Sequence, residues 1–177
     1  MRTLTQPGAP LQPRRLLEWA APAEDLRVRL AGGQDLLRGL VAALAGHAVT
    51  HAAVQVVAAE IARMAYLTGA EDPSGQRVAT YGPPTWLEGP VTLLGANGIV
   101  GPGPDGDTLL HCHAVVVDSA GRLHGGHLPP GDVLLGDAGA VAVVTPLREA
   151  AFAAAYDSET NYPLFQPTRI TKGGSNV

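Results

Sequence analysis

The stretch from residue 109 to residue 128 constrains the fold of this chain more than any other. Residues 109–117 are apolar and rich in valine, which predicts a strand, and residues 122–128 have a weaker strand pattern. Between them, the sequence Asp-Ser-Ala-Gly at 118–121 is typical of a tight turn. The stretch therefore predicts a β-hairpin in which the length of the turn decides which side chains share a face.

If the loop is Ser119-Ala120-Gly121, it is a three-residue type I turn closed by Gly121 in the left-handed region. With that loop, Asp118 pairs with Arg122, and the same register places His113 directly opposite His127. A two-residue loop would shift the register by one position and move His127 to the other face of the hairpin.

Side chains alternate between faces along a strand, so His111 and His113 point the same way and His127 joins them on that face. His124 and Cys112 point to the opposite face. The hairpin therefore predicts three converging imidazoles, with the neighbouring histidine and the single cysteine outside the cluster.

Three imidazoles on one face are a candidate metal site, because neutral ring nitrogens are common ligands of divalent cations. Three nitrogen ligands suit Zn²⁺ best, although Ni²⁺, Cu²⁺, Fe²⁺ and Mn²⁺ also accept them, and they leave one coordination position open. The alternative is a hairpin whose histidines form hydrogen bonds with the backbone or with water.

The 177 residues predict one compact domain with irregular ends. The sequence has no apolar run long enough for a membrane helix, and its N-terminus lacks the apolar core of a signal peptide. We therefore expect a soluble, cytoplasmic protein. A single cysteine excludes an internal disulfide, in agreement with a reducing compartment.

Charge argues against DNA as the main partner. The chain has 12 basic and 16 acidic residues, for a net charge of −4, and its arginines are scattered along the sequence. DNA binding normally depends on a basic patch that displaces counterions from phosphates. DNA therefore remains a partner that the composition disfavours.

Hydrophobic patterns predict an α+β domain in which a sheet is packed by helices. Residues 26–30 alternate like a half-exposed strand, and after a Gly-Gly turn the leucines and valine of residues 36–44 recur on one face of a helix. Residues 48–67 fit either a helix or a buried strand. Residues 69–90 predict a long excursion between sheet elements, in which only residues 77–81 are strand-like.

The next segments predict short strands. Residues 91–94 and 99–100 flank a glycine-bounded turn or bulge at 95–98, and residues 133–135 and 141–144 form two further apolar runs. We place an irregular lead-in at residues 1–25, the domain at 26–147 and a C-terminal extension that packs on the domain at 148–177, with loose residues from 166 onward.

Polar residues in the C-terminal extension alternate with aromatic ones. Asp157, Glu159 and Asn161 are candidate ligand-lining residues. The alternative is a tail held to the surface by aromatic and aliphatic anchors, in which these polar side chains contact no ligand.

The hairpin resembles the signature of a known family. Leu110-His111-Cys112-His113, then Asp118-Ser119-Ala120-Gly121-Arg122, then Gly125-Gly126-His127-Leu128 are similar to the motifs of bacterial members of the PCC domain family, the plants and prokaryotes conserved domain, also written PPC. The likeness extends to residues 87–92 and 26–44, and covers about residues 26–147. It departs at Thr92 and Gly95, where the family has an acidic residue and a serine.

The resemblance implies a mixed, mainly antiparallel sheet, a homotrimer, and histidines 111, 113 and 127 as the family's conserved trio. Plant relatives join the domain to AT-hooks, the source of the family's DNA-binding label. This sequence contains no Arg-Gly-Arg-Pro hook. The resemblance therefore supports the histidine trio in this sequence more strongly than it supports DNA binding.

Three functions fit these observations. The first is a trimeric module that binds a divalent metal, most simply zinc, and a small ligand at the open metal position near a subunit boundary. No general base is identifiable, so the sequence leaves binding and catalysis both open. The second is a DNA-associated regulator, and the third is a structural or protein-interaction trimer whose histidines only order the hairpin.

Overall fold

The computed structural model describes residues 5–14 and 22–170. These residues form one helix and ten strands, with the following bounds: β1 Leu26–Leu30, α1 Leu36–Gly46, β2 Ala52–Tyr66, β3 Gly69–Ala70, β4 Thr80–Tyr81, β5 Thr85–Pro102, β6 Thr108–Val117, β7 Leu123–His127, β8 Val133–Pro146, β9 Ala150–Asp157 and β10 Tyr162–Arg169.

Six strands form one antiparallel sheet in the order β1-β8-β2-β5-β6-β7. Helix α1 packs on one face, where its leucines and the inward side chains of the strands form the core. The predicted single domain with a mainly antiparallel sheet is confirmed. The expectation of several helices is wrong for the described residues, where α1 is the one helix that covers the sheet.

Helix α1 forms where the leucine spacing predicts it. Leu36, Leu37, Leu40 and Leu44 are fully buried on one face. The helix begins after Asp35, whose side chain caps its first turn. With 11 residues it is too short to cross a membrane, and the described part of the chain has no helix that is long and apolar enough to do so.

The ambiguous segment 48–67 is mostly the long central strand β2. Ala52, Val54 and Val56 are buried and alternate with exposed residues, and Ile61 is fully buried beyond a bulge. Strand β2 pairs with β5 on one edge and β8 on the other. Its backbone groups are therefore satisfied by two neighbours, which local periodicity cannot reveal.

Two predicted pairs of short strands are in fact single long strands. Residues 91–94 and 99–100 belong to β5, with a bulge between Leu93 and Gly95 where a turn or bulge was expected. Residues 133–135 and 141–144 belong to β8. Both strands extend along the 15-residue β2, whose backbone donors and acceptors need partners over its whole length.

The predicted excursion at 69–90 is shorter than expected. Strands β3 and β4 form a small hairpin of their own, and the strand-like run 77–81 contributes only Thr80 and Tyr81 to it. From Thr85 onward the chain is already in β5. The Gly-Pro pair at 89–90 therefore lies within a sheet strand.

The C-terminal segment is a hairpin of β9 and β10 that packs on the face of the sheet opposite α1. At Gly101 on β5 an added Cβ would collide with the carbonyl oxygen of Phe152, so glycine permits this close contact. Residues 166–169 are in β10, so the expectation that they are loose is wrong; residues 171–177 lie outside the described part.

We predict that Asp35→Ala lowers the free energy of unfolding by about 1–2 kcal/mol. The carboxylate accepts hydrogen bonds from the backbone N–H groups of Arg38 at 2.9 Å and Val133 at 3.0 Å, so it joins the start of α1 to the start of β8. Denaturant unfolding measures the loss. Asp35→Asn, which keeps an acceptor oxygen, should lose less, and an Ala variant as stable as the parent would contradict this role.

Candidate metal centre

The register of the hairpin agrees with the sequence prediction. Strands β6 and β7 pair His113 with His127 and Val116 with His124. The N–H of Asp118 donates to the carbonyl of Arg122 at 3.0 Å, and Gly121 has a φ of 79°. The predicted three-residue loop is therefore confirmed.

The Asp118 side chain holds this turn together. Its carboxylate accepts hydrogen bonds from the backbone N–H groups of Ala120 and Arg122, both at 2.9 Å, and lies 3.0 Å from the Nε2 atom of His124. The Arg122 N–H and the His124 ring hold the pKa of Asp118 well below its usual range. The turn therefore keeps its carboxylate acceptor charged at neutral pH.

The three predicted histidines lie together on the face of the sheet opposite α1. Ring centroids are 4.9 Å apart for His111 and His113, 4.6 Å for His111 and His127, and 5.4 Å for His113 and His127. One ring nitrogen from each lies within 4.8 Å of the others. His113 is exposed and His127 partly buried, so solvent reaches one side of the cluster.

This donor set fits a metal ion. Nitrogens in a tetrahedral zinc site are about 3.3 Å apart, so small side-chain rotations from the observed arrangement would suffice. The Nε2 atoms of His111 and His113 are already 2.9 Å apart. Among the described residues, the buried Nδ1 of His127 has no hydrogen-bond partner, which is costly unless something else satisfies it.

At the two positions before His127, close backbone contacts leave room only for glycine. An added Cβ at Gly126 would collide with the carbonyl oxygen of Leu67, and one at Gly125 would lie 2.8 Å from the carbonyl oxygen of Ala114. Leu67 and His127 form a β-bridge with reciprocal N–H···O=C bonds of 2.8 and 2.9 Å. Gly126 therefore allows the chain after β2 to approach and fix the backbone of His127, while Gly125 allows close contact with β6.

Partial burial keeps two of the imidazoles neutral. It lowers the pKa of His127 to about 4, with further contributions from His111 and His113. Burial also lowers the pKa of His111, and the neighbouring His113 adds to that effect. Neutral imidazoles are the form that binds metals, so these two rings are ready to act as ligands at neutral pH.

The other candidates on the hairpin lie where the register prediction places them. His124 is outside the cluster, with its Nδ1 atom 3.1 Å from the hydroxyl of Tyr66. Cys112 is fully buried in the core, and burial raises the pKa of its thiol to about 11. A neutral thiol is a poor metal ligand, so Cys112 has a packing role.

A cavity of about 530 Å³ adjoins the cluster, and both His111 and His127 line it. It lies between the sheet and the C-terminal hairpin and is partly open to solvent. Tyr81 stacks on His127 with ring centroids 4.8 Å apart and an interplanar angle of 18°. No local sequence pattern connects Tyr81 with the site, because only the fold brings β4 beside β7.

The structure does not bring Asp157, Glu159 and Asn161 to this cavity. Asp157 accepts from the hydroxyl and the N–H of Thr160, at 2.7 and 2.8 Å. Glu159 pairs with Arg14 at 2.6 Å, and this guanidinium holds the pKa of Glu159 below its usual range.

Asn161 has structural partners as well. Its amide donates to the carbonyl of Gln76 at 2.8 Å, and its side-chain oxygen accepts from the Tyr156 hydroxyl at 2.7 Å. Asp157 and Glu159 line a separate cavity of about 290 Å³. The expected ligand-lining role of the three polar residues remains a prediction. Any ligand that they contact within this chain would lie outside the histidine cavity.

Comparison with known proteins supports a specific family. The model of the Plants and Prokaryotes Conserved (PCC) domain matches residues 21–145, which is most of the chain. Among curated proteins, no significant match was found.

Several solved structures have the same fold. A metal-containing protein from Archaeoglobus fulgidus superposes with a TM-score of 0.64 at 23% identity, over 86% of this chain and 99% of its own. A plant- and prokaryote-conserved (PPC) protein from Pyrococcus horikoshii gives 0.63 at 17% identity, over 88% and 100%. A "putative DNA-binding protein" from Ralstonia eutropha gives 0.61 at 17%, over 80% and 89%. Identities this low show a shared fold and no more.

We predict that in metal-free protein the His127 ring titrates with a pKa near 4, far below the usual 6.5. As pH falls from 6.5 to 4, the unfolded chain takes up this proton first, so the contribution of His127 to stability is complete above pH 6.5 and is lost on approaching pH 4. An NMR titration of the imidazole resonances measures it.

The variants His111→Ala and His113→Ala should raise the pKa of His127, because each removes a neighbouring ring that disfavours its protonation. A midpoint for His127 near the ordinary histidine value in the parent would contradict the geometry.

Proposed function

Because this chain belongs to the Plants and Prokaryotes Conserved (PCC) domain family, we propose that His111, His113 and His127 bind one divalent metal ion and present it to a small ligand. The observation that carries the proposal is the convergence of three ring nitrogens within 4.8 Å. The Archaeoglobus protein of the same fold, which contains a metal, adds support.

Zinc suits the donor set best. Three neutral nitrogens, with no thiolate or carboxylate among them, match Zn²⁺ sites in which a fourth position is open to water or ligand. When bound, Zn²⁺ supplies a Lewis acid that polarises an oxygen ligand or lowers the pKa of a water. The cavity beside the cluster gives a ligand room at this position.

The chain's own groups orient these ligands. The bridge to Leu67 fixes the backbone of His127, Tyr81 stacks on its ring, and Asp118 sets the register that aligns His127 with His113. The cavity lining that the structure describes includes no carboxylate that would act as a general base. The function proposed is therefore the binding of a ligand at the metal.

Metal analysis after dialysis tests the proposal. We expect about one zinc per chain in the parent and at least about 100-fold weaker zinc binding in His111→Ala, His113→Ala and His127→Ala, since removal of a direct ligand costs more than the 10–100-fold lost with an outer-shell partner. His47→Ala is the matched control, because His47 follows α1 away from the cluster and should leave zinc content unchanged. Zinc content that is equally high in all four variants, or absent from the parent, would refute the site.

We also propose that the protein is a homotrimer, as the family resemblance implies, and that the histidine face of the sheet is its interface. Val57, Val115 and Leu123 lie on this face and are 47%, 49% and 69% exposed. Single chains seldom leave neighbouring apolar side chains so exposed, so burial against other copies would remove them from water. His113 shares the face, which puts the metal site near a subunit boundary.

Light scattering coupled to gel filtration checks the assembly. The parent should elute at three times the 18.2 kDa mass of one chain. Val115→Glu should shift the mass toward one chain, because a buried unpaired carboxylate is costly. Ala42→Glu adds the same charge on the exposed side of α1 and should remain trimeric. A monomeric parent, or a Val115→Glu variant that remains trimeric, would rule out this interface.

DNA binding is the second candidate, since the Ralstonia structure carries that description. Several arginines of this chain are already engaged: Arg122 pairs with Asp118, Arg14 with Glu159, and Arg63 lies over the ring of Trp86. With a net charge of −4, the chain offers a phosphate backbone little attraction. The histidine cluster and its cavity therefore favour the metal-binding function.

A further inference from the structure

We infer that the ligand presented to the metal is a small monocarboxylic acid with an apolar, preferably aromatic, body, and that this body occupies the cavity between the sheet and the C-terminal hairpin. The inference rests on the proposed metal site and adds the class of molecule that the site accepts. It follows from the shape, lining and charge of the cavity.

The walls of the cavity are apolar. Ile99 and Leu109 form part of the sheet side, while Leu164 and Phe165 of β10 form part of the opposite side. The Phe165 ring lies edge-on to His111, with centroids 6.4 Å apart. A ligand between these walls gains by removing its own apolar surface and theirs from water.

Two tyrosine rings belong to the lining of the cavity. Tyr81, which stacks on His127, and Tyr162 of β10 both line it. The guanidinium of Arg77 lies 5.2 Å from the centre of the Tyr162 ring. This contact supports the Tyr162 wall, because cation and ring attract each other. Aromatic lining residues favour an aromatic group in the ligand, because aromatic rings attract each other in offset or edge-to-face arrangements.

The charge of the cavity selects the head group. Among the described residues that line it there is no aspartate, glutamate, lysine or arginine. Three neutral imidazoles leave the full charge of a divalent ion uncompensated, and such a charge beside apolar walls needs an anionic partner. One carboxylate supplies both the charge and a ligand oxygen for the open position.

The same lining argues against more polar ligands. A second carboxylate, a phosphate or a sugar would lose its hydrogen bonds to water inside the cavity. Few polar side chains of the lining could replace those bonds, and each unpaired group costs free energy. The volume of about 530 Å³ falls within the range of small-molecule sites, about 300–1,000 Å³. The cavity is thus large enough for an apolar body beyond the carboxylate.

Calorimetric titration of the zinc-loaded full chain with three probes tests the inference. The probes are 3-phenylpropionate, its neutral amide, and acetate, which keeps the carboxylate without the apolar body. We expect 3-phenylpropionate to bind at least about tenfold more tightly than either of the others, a difference of roughly 1.4 kcal/mol. Zinc content is measured on the same samples.

Two leucine variants separate the cavity from the rest of the surface. Leu164 and Leu134 are similarly exposed, at 42% and 40%, but only Leu164 lines the cavity. We expect Leu164→Asn to weaken 3-phenylpropionate about fivefold with zinc content unchanged, since part of a leucine contact is lost. Leu134→Asn should bind the probe like the parent.

The outcomes distinguish the two proposals. Zinc bound at one per chain with equal affinity for the three probes, or equal weakening by both leucine variants, would overturn the ligand class and leave the metal site standing. A protein that binds no zinc would overturn the metal site and, with it, the ligand class.

Discussion

The turn at Asp118 is the contact on which the candidate site depends. Its carboxylate accepts two backbone hydrogen bonds across the loop, and the loop length that they enforce pairs His113 with His127. A shift of one residue would turn His127 toward the core and His124 toward the cluster. A single local interaction thus decides which histidines meet on the surface of the sheet.

The site was predictable from the sequence because its determinants are local. Turn length, strand alternation and the spacing of histidines 111, 113 and 127 all lie within residues 109–128, and the structure places the three rings together. Helix α1 was predictable for the same reason, since its leucines repeat within 11 residues and Asp35 precedes them. Local patterns of this kind predict structure without knowledge of the contacts between distant segments.

What could not be predicted depends on contacts between distant segments. Strand β2 is a strand because β5 and β8 satisfy its two edges, and the same pairing extends β5 through a bulge that looked like a turn. The cavity needs β10, which lies more than thirty residues beyond the hairpin and reaches it where the Phe165 ring lies beside His111. Tyr81 likewise reaches His127 only because β4 is folded back beside β7.

The proposed function combines the hairpin held by Asp118, its three imidazoles and the apolar cavity in one site for a metal and its ligand. Anomalous diffraction at the zinc absorption edge, from crystals grown with zinc, tests its central claim most directly. We predict one strong peak per chain, with a nitrogen of His111, His113 and His127 each about 2.0–2.1 Å from it. No peak between the three rings, or a zinc ion held by other residues, would contradict the account.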